Sequence, residues 1–311
     1  MPQNQPPKKG RGCLKIFLIV ALILIVLPIL LIGGFIYVGL YGLMQSDEDI
    51  LKNYQPPPHI AEIAERTTMT TKAKGAFYRG DPEFISGESF RKECLESGEL
   101  AGGCKKGKVG KGLFGLPTQT IKIYLLQIDD PRFRDNRFGT GAHEMLHVAY
   151  SRLGTKEKEK VNVLIDQEIA NRQNDESITA RVEAMKRMKK NYYDELHAFF
   201  GTDYADLAVE LDEYYQRYFT DRRKLVAIST TSGFNIRVRK LDQLKVQLTA
   251  LEPRLRSLES QVKAGDESKI PEFNSLVGQY NSRVAETNRV YSEIKEFYQY
   301  IDPAYQPPAS R

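Results

Sequence analysis

From Ile16 to about Met44 the chain carries no charged residue, and no other feature constrains its fold as strongly. The run exceeds the ~20 apolar residues that cross a bilayer. It has no polar face, so it reads as a transmembrane helix over 16–44 and not as an amphipathic core helix. It is too long for the core of a signal peptide, and no small-x-small cleavage site follows it. Pro28 and Gly33-Gly34 are breakers that a membrane helix tolerates. Lys8, Lys9, Arg11 and Lys15 precede the run, and Asp47, Glu48 and Asp49 follow it. The positive-inside rule then makes residues 1–15 a cytoplasmic basic tail and puts everything after Gln45 outside the membrane.

The remainder of the 311 residues is long enough for one or two folded units. Net charge is +5, with acids and bases mixed along helical segments and no interleaving of basic and aromatic residues. That pattern gives no reason to expect a nucleic-acid partner. Of three cysteines, Cys13 falls on the cytoplasmic side. Cys94 and Cys104 fall in the exported part, where an oxidising exterior lets them pair as a disulfide. With no second Cys or His pair nearby, metal ligation by these two is the weaker alternative.

Residues 45–74 read as a linker with one short helix. Gln55-Pro56-Pro57-Pro58 is a stiff spacer, and Ile60 to Arg66 has helical spacing. From Gly75 to Gly115, glycines and lysines predict irregular structure with short strands. Gly102, Gly107 and Lys108 nearly form a phosphate-binding loop, but Val109 stands where Ser or Thr is needed, so the segment reads as a flexible basic loop. Thr120 to Ile128 alternates as a strand. Thr140 is suited to cap a helix over 141–153 that ends at Gly154. Helices are then expected over 161–172, 178–200 and 207–219. Leu241, Leu244, Leu248, Leu251, Leu255, Leu258 and Val262 step by three and four, as in a coiled coil. Pro253 is expected to bend this helix. Gly265-Asp266 make a turn, and a return helix over 271–300 closes an antiparallel hairpin over 226–302, before a tail at 303–311. The hairpin is suited to bind a protein partner or a second copy of the chain. The fold class is therefore α+β, mostly α, with a small sheet.

The chemistry sits at His143-Glu144-Met145-Leu146-His147. On a helix, residues four apart point the same way, about one turn apart. Two imidazoles so placed can share one zinc ion and leave room for a third ligand and a water. Glu144 can reach that water as a general base. Ala142, Leu146, Ala149 and Leu153 fall on a different face from His143, His147 and Tyr150, so one side can bury while the other lines a cleft. Spacing leaves the third ligand open among Glu168, Glu195 and His197.

With the later Asp194-Glu195-Leu196-His197 and Gly201-Thr202-Asp203, the motif resembles the gluzincin group of zinc metallopeptidases. It is especially similar to membrane-anchored bacterial proteins with an H-E-M-L-H…E-L-H-S…G-T-E pattern. The likeness runs from about Phe77 to Tyr218 and includes Cys94 and Cys104. Ala198 stands where Ser is usual, and Asp203 where Glu is usual. The resemblance implies a zincin-like domain over 75–225, zinc on His143, His147 and Glu195, and Glu144 as base. It makes His197 a candidate either to hold a ligand in place or to stabilise the developing oxyanion. The function expected is hydrolysis of peptide or protein substrates outside the membrane. A chain that uses the same zinc helix as a structural site, and its hairpin as a scaffold, is the alternative.

Overall fold

The computed structural model describes residues 26–30, 33, 47–94, 102–111, 117–187 and 191–305. Of the expected membrane span, Val26–Leu30 and Gly33 are helical, and the rest lies outside the described residues. Among the described residues no helix is long and apolar enough to cross a membrane.

The folded part is mostly helical with one three-stranded sheet. Its elements are α1 (Asp47–Asn53), α2 (Pro58–Arg66), α3 (Thr71–Arg79), β1 (Glu83–Ile85), α4 (Gly87–Cys94), β2 (Gly103–Lys111) and β3 (Pro117–Leu126). There follow α5 (Asn136–Ser151), α6 (Thr155–Asn171), α7 (Glu176–Arg187), α8 (Tyr192–Asp203), α9 (Val209–Tyr215) and α10 (Arg222–Thr230). The long helices α11 (Gly233–Lys263) and α12 (Ile270–Ile301) complete the chain, with a short 3-10 turn at Glu267–Lys269 between them.

The sheet order is β1-β3-β2, with β1 parallel and β2 antiparallel to the central β3. β2 is thus an edge strand, and it contains the glycine-lysine segment expected to be a flexible loop. The disulfide Cys94–Cys104 ties its second residue to the end of α4, with the two Cα atoms 5.7 Å apart. The expected spacer at Gln55–Pro58 is only the joint between α1 and α2. Pro58 opens α2, where proline fits because the first helical N–H needs no partner. Ile60, Ile63 and Ala64 of that helix are fully buried, so α2 belongs to the main core.

α5 is the centre of that core. Phe138, Ala142, Met145, Leu146 and Val148 are all fully buried. Its helix begins earlier than the Thr140 cap suggests, because Gly139 and Gly141 are interior positions. A Cβ at Gly141 would lie 2.7 Å from Ile63 Cγ2, and one at Gly139 would lie 2.7 Å from Ser229 Oγ. α2 and α10 therefore sit directly on the helix backbone. Gly154, expected to end α5, instead caps α6. The single helix expected over 178–200 is two, α7 ending at Arg187 and α8 starting at Tyr192.

The hairpin is antiparallel: Arg237 pairs with Glu293, Lys240 with Glu286 and Arg254 with Glu272. Its seam follows the leucine heptad, with Leu241, Leu244 and Leu258 buried, and the helix runs on through Pro253. Its root is part of the body. Phe297 and Ile301 of α12 join Phe90, Cys94, Leu126 and Phe133 in a second core cluster.

Candidate metal centre

Along α5 from Asn136 to Tyr150, only Asn136, Arg137, Thr140 and His143 are not buried. They form one stripe, at helical steps of three and four, that reaches the surface beside the His-Glu-x-x-His group. His143, Glu144 and His147 offer ligand atoms that all lie within 4.8 Å of one another, so the group could hold a metal ion. The two imidazole rings are 4.8 Å apart, centre to centre.

The break between α7 and α8 puts Asp194 and Glu195 in the first turn of α8, where the helix dipole favours acidic side chains. α8 packs against α5, and Glu195 reaches between the two histidines. Its Oε2 is 3.7 Å from His143 Nε2 and its Oε1 is 3.5 Å from His147 Nε2. Two ligands on one tetrahedral zinc, each at about 2.0–2.1 Å, lie about 3.4 Å apart. Burial opposes the Glu195 charge, but His143 and His147 outweigh it and hold the carboxyl below its usual range.

Asp194 holds His147 from behind. His147 Nδ1 donates to Asp194 Oδ1 at 2.8 Å, which leaves Nε2 turned toward Glu195. Lys105 Nζ, from β2, donates to Asp194 Oδ2 at 3.0 Å and to the His147 carbonyl at 3.2 Å. Burial disfavours the Asp194 charge, yet His147 and Lys105 keep its carboxyl well below the carboxylate range. Burial likewise opposes the His147 cation, but Asp194, Glu144 and Glu195 raise its pKa to about 9. Neither Asp194 nor Lys105 was assigned a role from sequence.

Glu144 lies under the start of β2. A Cβ on Gly103 would come within 3.0 Å of Glu144 Cγ and 2.6 Å of Thr140 Cγ2, so only glycine allows the strand this close. Glu144 is 4% exposed, and burial raises its carboxyl above the usual range.

The other two candidates lie elsewhere. Glu168 is buried on α6, where one oxygen accepts from Arg172 Nε and the other from the Ala208 N–H at 2.8 Å, at the start of α9. It is an internal cap with both oxygens used. His197 is fully buried with its ring against Tyr150, Tyr214, Tyr215 and Tyr218. Its Nε2 pairs with Tyr214 Oη at 3.0 Å, and its carbonyl accepts from Tyr215 Oη at 2.7 Å. Burial lowers its pKa to about 3, so the ring is neutral at pH 7. Tyr150 is buried with it and donates to Asn162 Oδ1, so it does not line an open cleft.

The chain matches no family model, no curated protein and no solved structure. The likeness to gluzincins therefore rests on the motif residues themselves.

Proposed function

We propose that this chain is a zinc metallopeptidase anchored by residues 16–44, with its folded part outside the cytoplasmic membrane. One observation carries the reading: Glu195 stands between His143 Nε2 and His147 Nε2 at ligand spacing, beside a glutamate that follows the first histidine. Two imidazoles and a carboxylate are a donor set that suits zinc. His143, His147 and Glu195 would hold the ion, and Asp194 would fix the ring of His147. Bound zinc supplies a Lewis acid that makes water acidic near neutral pH and polarises a carbonyl. Glu144 takes the proton from the attacking water and passes it to the leaving amine. β2 supports a peptide as substrate, because an edge strand beside the centre offers backbone groups to an extended chain. The disulfide and the change of charge sign across 16–44 support the exterior location.

The test is metal analysis of the purified full-length chain at pH 7, followed by digestion of a mixed peptide library read by mass spectrometry. One zinc per chain is expected, with cleavage that Glu144→Gln abolishes while zinc stays bound. A chain without zinc overturns the proposal. Zinc without cleavage of any peptide replaces it with the scaffold reading.

A further inference from the structure

Next to the centre, at the N-terminal end of α5, lies a cavity of about 510 Å³. Its size falls within the range of pockets that hold small ligands or side chains. Its apolar lining comes from Phe84 before α4, Leu126 of β3, Phe133 and, from the root of the hairpin, Phe297. Its polar lining includes Arg134, Asn136, Arg137 and Thr140. The last three are on the stripe of α5 that His143 continues, so the cavity opens about one helical turn from the metal ligands. Thr140 is also in the wall shared with Glu144, since Gly102 and Gly103 pack on its side chain.

The cavity has a spare cationic donor. Among the described residues, the Arg134 guanidinium donates only to the Asp129 carbonyl, at 3.1 Å. Arg137 also lines the cavity, but it gives Nη2 to Glu62 at 2.7 Å, and its Nε is enclosed by protein out of a ligand's reach. The one carboxylate in the lining, Asp129, already accepts from Gln127 Nε2 at 2.7 Å. A guanidinium fork matches a carboxylate in shape and charge.

We propose that this cavity is a substrate subsite that receives a carboxylate next to the bond to be cut, with Arg134 as its main contact. The inference rests on the metallopeptidase reading of the neighbouring centre. The carboxylate comes from an Asp or Glu side chain or from the free end of the peptide, and both present the same chemistry to the Arg134 guanidinium. The apolar wall accepts the stem that carries it.

The test uses the full-length Glu144→Gln chain, which keeps the proposed metal ligands, and measures peptide binding by calorimetry alongside zinc content. The probes are acetylated, amidated alanine pentapeptides with Glu, Gln or Leu scanned through each position, and one alanine pentapeptide with a free carboxyl end. At one position Glu binds at least tenfold tighter than Gln, or the free-ended peptide binds at least tenfold tighter than its amide. The first result assigns the carboxylate to a side chain and the second to a chain end. Adding Arg134→Gln brings the ratio close to one, while zinc content and affinity for the Leu peptides stay the same. Equal binding of Glu and Gln peptides together with no gain from the free end overturns the proposal, as does a preference that survives Arg134→Gln. Zinc binding without the preference sinks the subsite alone. The preference without zinc sinks the metallopeptidase reading and leaves the carboxylate site standing.

Discussion

Replacing Glu195 by Gln removes a negative charge from between His143 and His147, whereas replacing Glu168 by Gln removes one from between Arg172 and the start of α9. The two carboxylates are both sheltered, yet the structure assigns them opposite sensitivities. Glu168 is 1% exposed and uses both oxygens. Its amide analogue keeps one acceptor and turns an NH2 toward a donor, leaving the Arg172 charge uncompensated. Removing one partner of a buried ion pair costs about 3–5 kcal/mol. Arg172 is 25% exposed and also lies over the Tyr204 ring, so the low end, about 3 kcal/mol, is expected. At roughly 2 °C per kcal/mol for a large domain, the melting temperature falls by roughly 6 °C. Glu195 is more open, at 16% exposed, and its loss costs the metal-free chain only about 1 kcal/mol. Its expected effect is on zinc. Contacts behind a ligand change affinity by about 10–100-fold, so loss of a direct ligand should exceed about 100-fold, or about 2.8 kcal/mol. Competition with a chromophoric chelator gives the affinity, and melting in EDTA gives the stability of the metal-free chain. Glu195→Gln with unchanged zinc affinity, together with Glu168→Gln that loses zinc, would refute the assignment of the third ligand.

Three further outcomes follow from other contacts. Asp194→Asn takes the charge from the acceptor behind His147 and from Lys105, and zinc affinity should fall about 10–100-fold, less than for Glu195→Gln, in the same chelator titration. His197 has a folded pKa near 3 against about 6.5 unfolded, so below pH 6.5 the unfolded chain binds the extra proton and stability falls. His197→Phe should therefore remove up to about 1.4 kcal/mol per pH unit of acid destabilisation between pH 6.5 and 4, and urea melts in EDTA that show equal slopes for both chains would count against it. Excising residues 249–278 and joining the ends with a short Gly-Ser turn should leave zinc affinity unchanged, because among the described residues it is the root of the hairpin, at Phe234, Glu296, Phe297, Tyr300 and Ile301, that packs on or pairs with the body. By contrast, Phe297→Ala should cost about 3–5 kcal/mol in urea unfolding, since Phe297 is 3% exposed between Phe133 and Phe234. Zinc lost on excision would place the distal hairpin in the catalytic fold.

How far the chain could be read from its sequence depends on whether each signal was local. The hairpin was legible because every seam position is set by its neighbours three and four residues away, and Leu241, Leu244 and Leu258 are buried as that spacing requires. β3 was legible from its own alternation. β2 was not: Gly103–Lys111 has three glycines, four lysines and one valine, so no apolar face announces it. It is a strand because β3 offers nine residues of antiparallel register and the disulfide pins its start. The start of α5 was misplaced for a related reason. Gly-Thr-Gly at 139–141 has the composition of a cap, but Ser229 and Ile63, distant in sequence, need the space that those glycines leave.

The same division runs through the site. His143, Glu144 and His147 lie on one helical turn, so their spacing alone brought them together. Asp194 and Lys105 meet across a helix and a strand, 89 positions apart in sequence, and nothing near either of them signals the contact. The proposed third ligand stands between these extremes, because a local signal for it exists. Glu168 has Arg172 four positions later on the same helix, the spacing at which a glutamate finds a cation without help from the fold. Glu195 has Asn191, Tyr192, Ala198 and Phe199 at the corresponding steps, none of them cationic. A carboxylate that its own helix does not neutralise must find its partners elsewhere or stay in water. In a segment as apolar as Leu196 to Phe200 it is drawn inward with the helix, and the partners it meets are the two histidines of α5. Ranking candidate ligands by the cations they lack within one helical turn would have favoured Glu195 over Glu168 from the sequence itself.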